Sequence, residues 1–261
     1  MPVSRLAADH MPAALCAIYA GSTAPNLTWF PSGGVMLNTG ESDPFGNFAA
    51  GATVEEFAEA ARTLASQPVP AMMLVPADRD AKLEALIEPF GFAHHGTIPG
   101  MVVELDQVPT VQVPDGYQVG RVSSDESGEA WAQVLSEAYP VALLAAQSMS
   151  PMHAARNDAE DAPIQFFQAT FDGQPVAVSA LANVDGIAGV YCVATLESHR
   201  RKGLGAALTA APLHAARAMG CKVGVLQASQ AGYPTYRKLG FEDESQVHLY
   251  LRIPGDVAQN S

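Results

Sequence analysis

The feature that most restricts what this chain can fold into is a change of hydrophobic period around a short basic glycine loop. Residues 187–195 form an apolar run of strand length, and residues 203–219 carry Leu204, Leu208, Ala211, Ala215 and Met219 at helical spacing until Gly220 stops them. Between the two stands Arg200-Arg201-Lys202-Gly203-Leu204-Gly205. Residues 221–228 are again a short apolar run bounded by turn formers. Strand, helix and strand in that order predict a βαβ unit with a parallel pair and a right-handed crossover. Pro212, inside the helix, removes a backbone hydrogen bond and predicts a kink.

Around this unit, residues 117–122 alternate like a strand and residues 124–139 have helical spacing. Residues 164–171 and 175–183 read as a hairpin about Asp172-Gly173-Gln174, residues 233–239 as a short helix stopped by Gly240, and residues 247–253 as a closing strand. The first hundred residues follow a weaker version of the same plan, with a strand at 35–38, a helix at 53–64 and a buried strand at 71–75. Leu83 to Phe92 parallels Tyr233 to Phe241, each a helix closed by Gly-Phe, which predicts an internal repeat. Pro109, Pro114 and Gly116 punctuate residues 108–116 and place the boundary there, giving 1–109 and 110–261 as the two domains.

The 261 residues are 48% hydrophobic and 16% charged, which suits globular domains. A formal charge of -13 disfavours nucleic-acid backbones, although one basic cluster can still hold a compact anion. No apolar run reaches membrane-spanning length and the first residues lack a signal-like apolar region, so a cytoplasmic protein without membrane or nucleic-acid partners is expected. Cys16, Cys192 and Cys221 are far apart and are read as buried thiols. His94-His95 sit on a strand where neighbours point to opposite faces, and no metal site is expected.

The basic loop is an anion site by its chemistry. Amides in a first helical turn point outward, the helix dipole favours negative charge, and Gly203 and Gly205 let a phosphate approach the backbone, with Arg200, Arg201 and Lys202 supplying countercharge. A solvated basic turn before an amphipathic helix is the plainer alternative. A nucleotide-hydrolase loop is excluded because no G-x-x-x-x-G-K-[ST] occurs, and a dinucleotide fingerprint lacks both a third glycine and an acid after the next strand.

Arg200-x-x-Gly203-x-Gly205 after a strand ending Val193-Ala194-Thr195 resembles the acetyl-CoA pyrophosphate motif of the GNAT acetyltransferases. Tyr236-Arg237-Lys238-Leu239-Gly240-Phe241 is similar to the family's second motif. The resemblance implies an α/β (α+β) fold of two GNAT-like domains, each a mixed, mostly antiparallel sheet with one central parallel βαβ pair and helices on both faces. The first is implied to be degenerate, having no anion loop and Ile87 where the second has Tyr236. It further implies an acetyl-CoA-dependent N-acetyltransferase. Val193, Ala194, Thr195, Arg200, Arg201, Lys202, Gly203, Leu204, Gly205, Ala206, Ser229 and Tyr236 would bind the cosubstrate, the Val193 amide would face the thioester carbonyl, and Tyr236 would be the proton donor to the thiolate. An unshifted phenol would give up that proton uphill by roughly 2 kcal/mol, so hydrogen bonding matters more than transfer.

The general base is open among Glu137, Tyr139, Asp185, His153 and water. The acceptor is expected to be a small-molecule or peptide amine, with the acidic surface suiting cationic acceptors such as polyamines, and residues 140–163 are expected to line its pocket. The first domain is expected to help wall that pocket, and the protein to be a monomer or homodimer. The alternatives are an acyl-CoA-binding regulatory module without turnover and a structural protein that keeps only the fold.

Overall fold

The computed structural model describes residues 6–19, 26–76, 80–122, 125–139, 141–151 and 159–255. In chain order the first half holds α1 (Leu6–Tyr19), β1 (Leu27–Trp29), β2 (Val35–Asn38), β3 (Asn47–Ala50), α2 (Val54–Ala65), β4 (Ala71–Pro76), α3 (Asp80–Ile87) and β5 (Ala93–Glu104). The second half holds β6 (Tyr117–Arg121), α4 (Asp125–Ala138), α5 (Leu143–Ser148), β7 (Ile164–Phe171), β8 (Gln174–Val184), β9 (Ile187–Thr195), α6 (Leu204–Ala218), β10 (Val223–Gln227), α7 (Tyr233–Lys238) and β11 (Glu242–Arg252).

Local chemistry sets the helix ends. Thr53, read as the first residue of α2, is its N-cap: the Glu56 amide donates to the Thr53 hydroxyl at 3.3 Å and the Thr53 amide to the Glu56 carboxylate at 2.8 Å, a complete capping box. Gly220 closes α6 at φ +96°, and α6 runs on through Pro212 to Ala218. The Gly-Phe echo is structural. Gly91 and Gly240 both take positive φ, the Phe92 amide donates to the Ile87 carbonyl, and the Phe241 amide donates to the Tyr236 carbonyl. Ile87 and Tyr236 therefore occupy equivalent places in the two halves.

The strands form one sheet in the order β1-β2-β3-β4-β11-β5-β10-β9-β8-β7-β6. Among these pairings only β3 with β4 and β9 with β10 run parallel, each joined by a crossover helix, α2 and α6 respectively. The fold is thus a mixed α/β one with a mostly antiparallel sheet, and each half contributes one βαβ unit. The two expected sheets merge into one because the last strands are exchanged. β11 pairs with β4 through Val247↔Pro76 to Arg252↔Ala71, and β5 pairs with β10 through Val223↔Glu104 to Gln227↔Gly100. β5 and β11 pair with each other at the centre.

Alternation along the strands sorts the core onto two faces. Met73, Val75 and Tyr250 meet Phe57 and Ala61 of α2, while Met101, Val103 and Val190 meet Leu208 and Leu213 of α6. On the opposite face, Met72, Leu74 and Leu249 meet Leu15 and Tyr19 of α1, and Val178 and Ala194 meet Trp131 and Leu135 of α4. The sequence reading missed α1, whose Pro12 breaks the helical pattern. Its N-terminus is held by β11: the Leu6 and Ala7 amides donate to the Glu244 carboxylate at 2.5 and 3.1 Å, and the Ala8 amide to the Ser245 hydroxyl at 3.1 Å.

Residues 110–261 produced alone would uncover the β10 edge that β5 covers and strip β11 of both neighbours. That fragment is expected to aggregate or to associate through the bare edges, and co-expression with residues 1–109 to restore a soluble complex. A folded, monomeric fragment in size-exclusion chromatography would show that the exchange is dispensable.

Candidate functional site

The site begins where the second parallel pair comes apart. β9 and β10 are paired from Ile187↔Val223 to Gly189↔Val225 and no further. Just beyond, the β8 register shifts between Val178 and Ala180, and Cys192 takes φ +55°, a bulge that inserts one residue into β9. A cavity of about 620 Å³ fills the divergence, lined on this side by Val190, Tyr191, Cys192 and Val193 of β9, by residues 227–230, and by Tyr233 and Tyr236 of α7. Its other wall comes largely from the first half: Met11, Leu15 and Ile18 of α1, Phe45, Phe48, Met72 and Leu74. Among the described lining residues none is Asp, Glu, Lys, Arg or His.

Tyr236 is 8% exposed, and its ring lies against the Cα of Gly232, where a Cβ would come within 2.7 Å of it. Phe241 packs edge-on at 6.0 Å. No side chain among the described residues hydrogen-bonds its hydroxyl, which belongs to the cavity wall. Burial, aided by the nearby Tyr139 phenol, pushes its pKa up to about 12. The phenol therefore keeps its proton across the whole physiological range.

The basic loop follows β9 after four residues, Leu196 to His199. Gly203 caps α6 at φ +90° with no side-chain cap, and the first helical bond is the Ala207 amide to the Gly203 carbonyl at 3.1 Å. The amides of Leu204, Gly205 and Ala206 lie ahead of that bond with no partner inside the helix. A Cβ at Gly205 would meet nothing within 4 Å, so the first turn of α6 is open on that side. The three cations divide. The Arg200 guanidinium donates to the Thr195 carbonyl at 3.0 Å and to the Ala138 carbonyl at 2.8 Å, fastening the end of β9 to the end of α4. Lys202 donates to the Tyr117 hydroxyl at 3.1 Å and lies over that ring. Arg201 is exposed at φ +61°.

Residues 129–241 match the acetyltransferase (GNAT) family. A GCN5-related N-acetyltransferase from Kribbella flavida superposes with TM-score 0.65 at 23% identity, covering 97% of this chain and 98% of that one. A GCN5-related N-acetyltransferase from Sphaerobacter thermophilus gives 0.60 at 18%, covering 87% and 79%. A tandem GNAT protein from the clavulanic acid biosynthesis pathway gives 0.53 at 14%, covering 94% and 96%. No curated protein matches the sequence. At these identities the structural likeness is one of fold, and the matched segment adds the family's sequence pattern to the GNAT fold.

Within this GNAT fold the expected site residues fall into two groups. Val193, Ser229 and Tyr236 line the cavity; Ala194 and Thr195 continue the strand towards the loop, and residues 203–206 open α6. Of the candidate bases, Tyr139 lines the cavity, edge-on to Phe45 at 5.2 Å. Glu137 is exposed and bonded to Gln133 at 3.0 Å, and Asp185 lies in the β8 to β9 turn; neither lines the cavity. His153 lies outside the described residues, as do 140 and the rest of 152–158; of the described part of 140–163, Val141 and Met149 line the cavity. Only Cys221 is a buried thiol; Cys16 and Cys192 are half-buried. Burial pushes the Cys192 thiol, on the cavity wall, up to about 12. His94 meets His248 across β5 and β11 at 2.9 Å, and no group of three metal-ligating side chains occurs among the described residues. No helix among them is long and apolar enough to cross a membrane.

A polar pair that sequence reading did not find joins the halves. His10 of α1 is 5% exposed, with Nδ1 2.9 Å from the Tyr191 hydroxyl and Nε2 3.2 Å from the Ile187 carbonyl. Burial pushes its pKa down to about 4, so the ring is neutral at neutral pH. A carbonyl only accepts, so Nε2 carries the hydrogen and Nδ1 accepts from Tyr191. Gly189 beneath is required: a Cβ there would lie 2.4 Å from the Tyr191 ring and 2.5 Å from His10. A lone histidine in an unrecognised helix gave no spacing signal.

Arg200→Ala removes two charged hydrogen bonds and is expected to lower stability by about 1 kcal/mol in urea unfolding. Pyrophosphate affinity should stay near that of the parent protein, because this guanidinium is turned to the protein. A large loss of pyrophosphate binding with no change in stability would reverse that reading.

Proposed function

We propose that the protein transfers the acetyl group of acetyl-CoA to a primary amine, using the divergence of β9 and β10 as its active site. The observation that carries this reading is the meeting of Tyr236 and Val193, the residue after the Cys192 bulge, on one cavity, with the strand that bears Val193 leading through the basic loop to an uncapped helix start. The acetyltransferase pattern of residues 129–241 supports it.

The residues fit the cosubstrate. The amides of residues 204–206 would hold its diphosphate, with Arg201 adding countercharge, and β9 from Val190 to Thr195 would take the pantetheine arm as an added strand. Acetyl-CoA supplies an activated acyl group on a thiolate leaving group. The chain itself positions that group, offers a main-chain donor at Val193 and keeps a proton at the Tyr236 oxygen. With Tyr236 near 12 and a thiol near 8.5, complete transfer would be uphill by about 5 kcal/mol, so Tyr236 acts by hydrogen bonding to the developing charge on sulfur. Residues of the first half serve as a second wall of the same cavity.

Two substitutions test this. Tyr236→Phe should lower kcat by about tenfold or more while calorimetric coenzyme A affinity is unchanged. In the parent enzyme no fall in rate traceable to this phenol should occur below about pH 10, because its raised pKa keeps it protonated there. Gly205→Ala should add up to about 1 kcal/mol of stability, since alanine favours a helix and the space above it is open, and yet weaken coenzyme A binding. Unaltered turnover by the first variant, or unaltered binding by the second, would remove that residue from the proposed site.

A further inference from the structure

We infer that the acceptor is an apolar primary amine taken up as its free base, its body against α1 and β4. This rests on the acetyl-transfer reading and specifies the substrate class of the same cavity. The wall facing β9 and α7 is built from Met11, Leu15, Ile18, Phe48, Met72 and Leu74, side chains that can solvate only hydrocarbon. A polyamine threaded there would lose hydration from several charges with only phenols, amides, a thiol and hydroxyls to replace it among the described lining residues. The acidic surface, which suggested cationic acceptors, does not extend to this lining.

The same wall bears on the proton that an ammonium must lose before it can attack. Burial disfavours the charged form, so the cavity binds the neutral amine and leaves the proton in bulk water.

The test measures thiol release by the full-length protein with acetyl-CoA and a series of amines from propylamine to hexylamine, 2-phenylethylamine and spermidine. kcat/KM is expected to rise about fourfold per added methylene, the factor that corresponds to about 0.8 kcal/mol for each buried CH₂. For a given amine it should rise about tenfold per pH unit below the amine's own pKa, following the free-base fraction. Leu74→Trp, which fills the wall, should move the optimum to shorter amines with unchanged coenzyme A affinity. Preference for spermidine overturns the inference. So does indifference to amine length accompanied by faster turnover of hexanoyl-CoA, which would give the apolar wall to the acyl group. Coenzyme A binding without thiol release from any amine sinks the transfer reading, and this inference with it, and differs visibly from the other two results.

Discussion

Backbone pairing of β11 with β4 on one edge and β5 on the other ties the end of the chain to its first half, and the cavity depends on that pairing. Without it, β4 and its neighbours would form a separate sheet, and Met72 and Leu74 would face no part of β9. β11 also supplies Glu244 and Ser245, which hold the first turn of α1 over the centre of the sheet. α1 in turn contributes Met11, Leu15 and Ile18 to the cavity and His10 to Tyr191. One exchange of strands thus carries an element with no glycine loop of its own into contact with the half that has one.

The two halves divide the work in a way their equivalent positions make visible. Ile87 and Tyr236 both precede a Gly-Phe closure, and both are buried. Ile87 completes the core beneath α2, fully enclosed with Leu83 and Phe92, whereas Tyr236 keeps an oxygen on the cavity wall because β9 and β10 diverge in front of it. The first half's parallel pair, Phe48↔Met72 to Ala50↔Leu74, opens onto the cavity with apolar side chains alone. What separates the halves chemically is the group each presents at a shared geometry.

Much of the second half was legible because its signals are local. The period change at Gly203, the turn at Gly173 and the strands at 164–171 and 187–195 lie where spacing puts them, since short-range sterics and alternation decide such elements. Of the candidate site, the sequence motifs led to Val193 and Tyr236, which lie on the cavity wall, and to the loop that opens α6. The exchange of β5 and β11 was not, because two strands of similar length and apolarity satisfy either pairing locally and only the packing of the whole sheet chooses. Arg200 shows the same limit at one residue. Its charge fitted an anion, but the exposed carbonyls at the ends of β9 and α4, which spacing cannot bring together, took its guanidinium.

Net charge and cavity chemistry operate over different distances. The formal charge of -13 acts through solvent over roughly the Debye length of about 8 Å, drawing cations of any shape towards the surface. Inside the cavity the interaction is short-ranged, and a low-dielectric lining penalises an unpaired charge more than it rewards one that arrived from an attractive field. The acceptor proposed above would benefit from both in sequence: as an ammonium it would be concentrated near the acidic surface, and as a free base it would enter the apolar cleft. The apparent conflict between an acidic protein and an apolar pocket then resolves into a filter. Long-range charge sets which molecules reach the mouth, and desolvation passes those that can shed their single proton, while a polycation that loses one proton still carries the others.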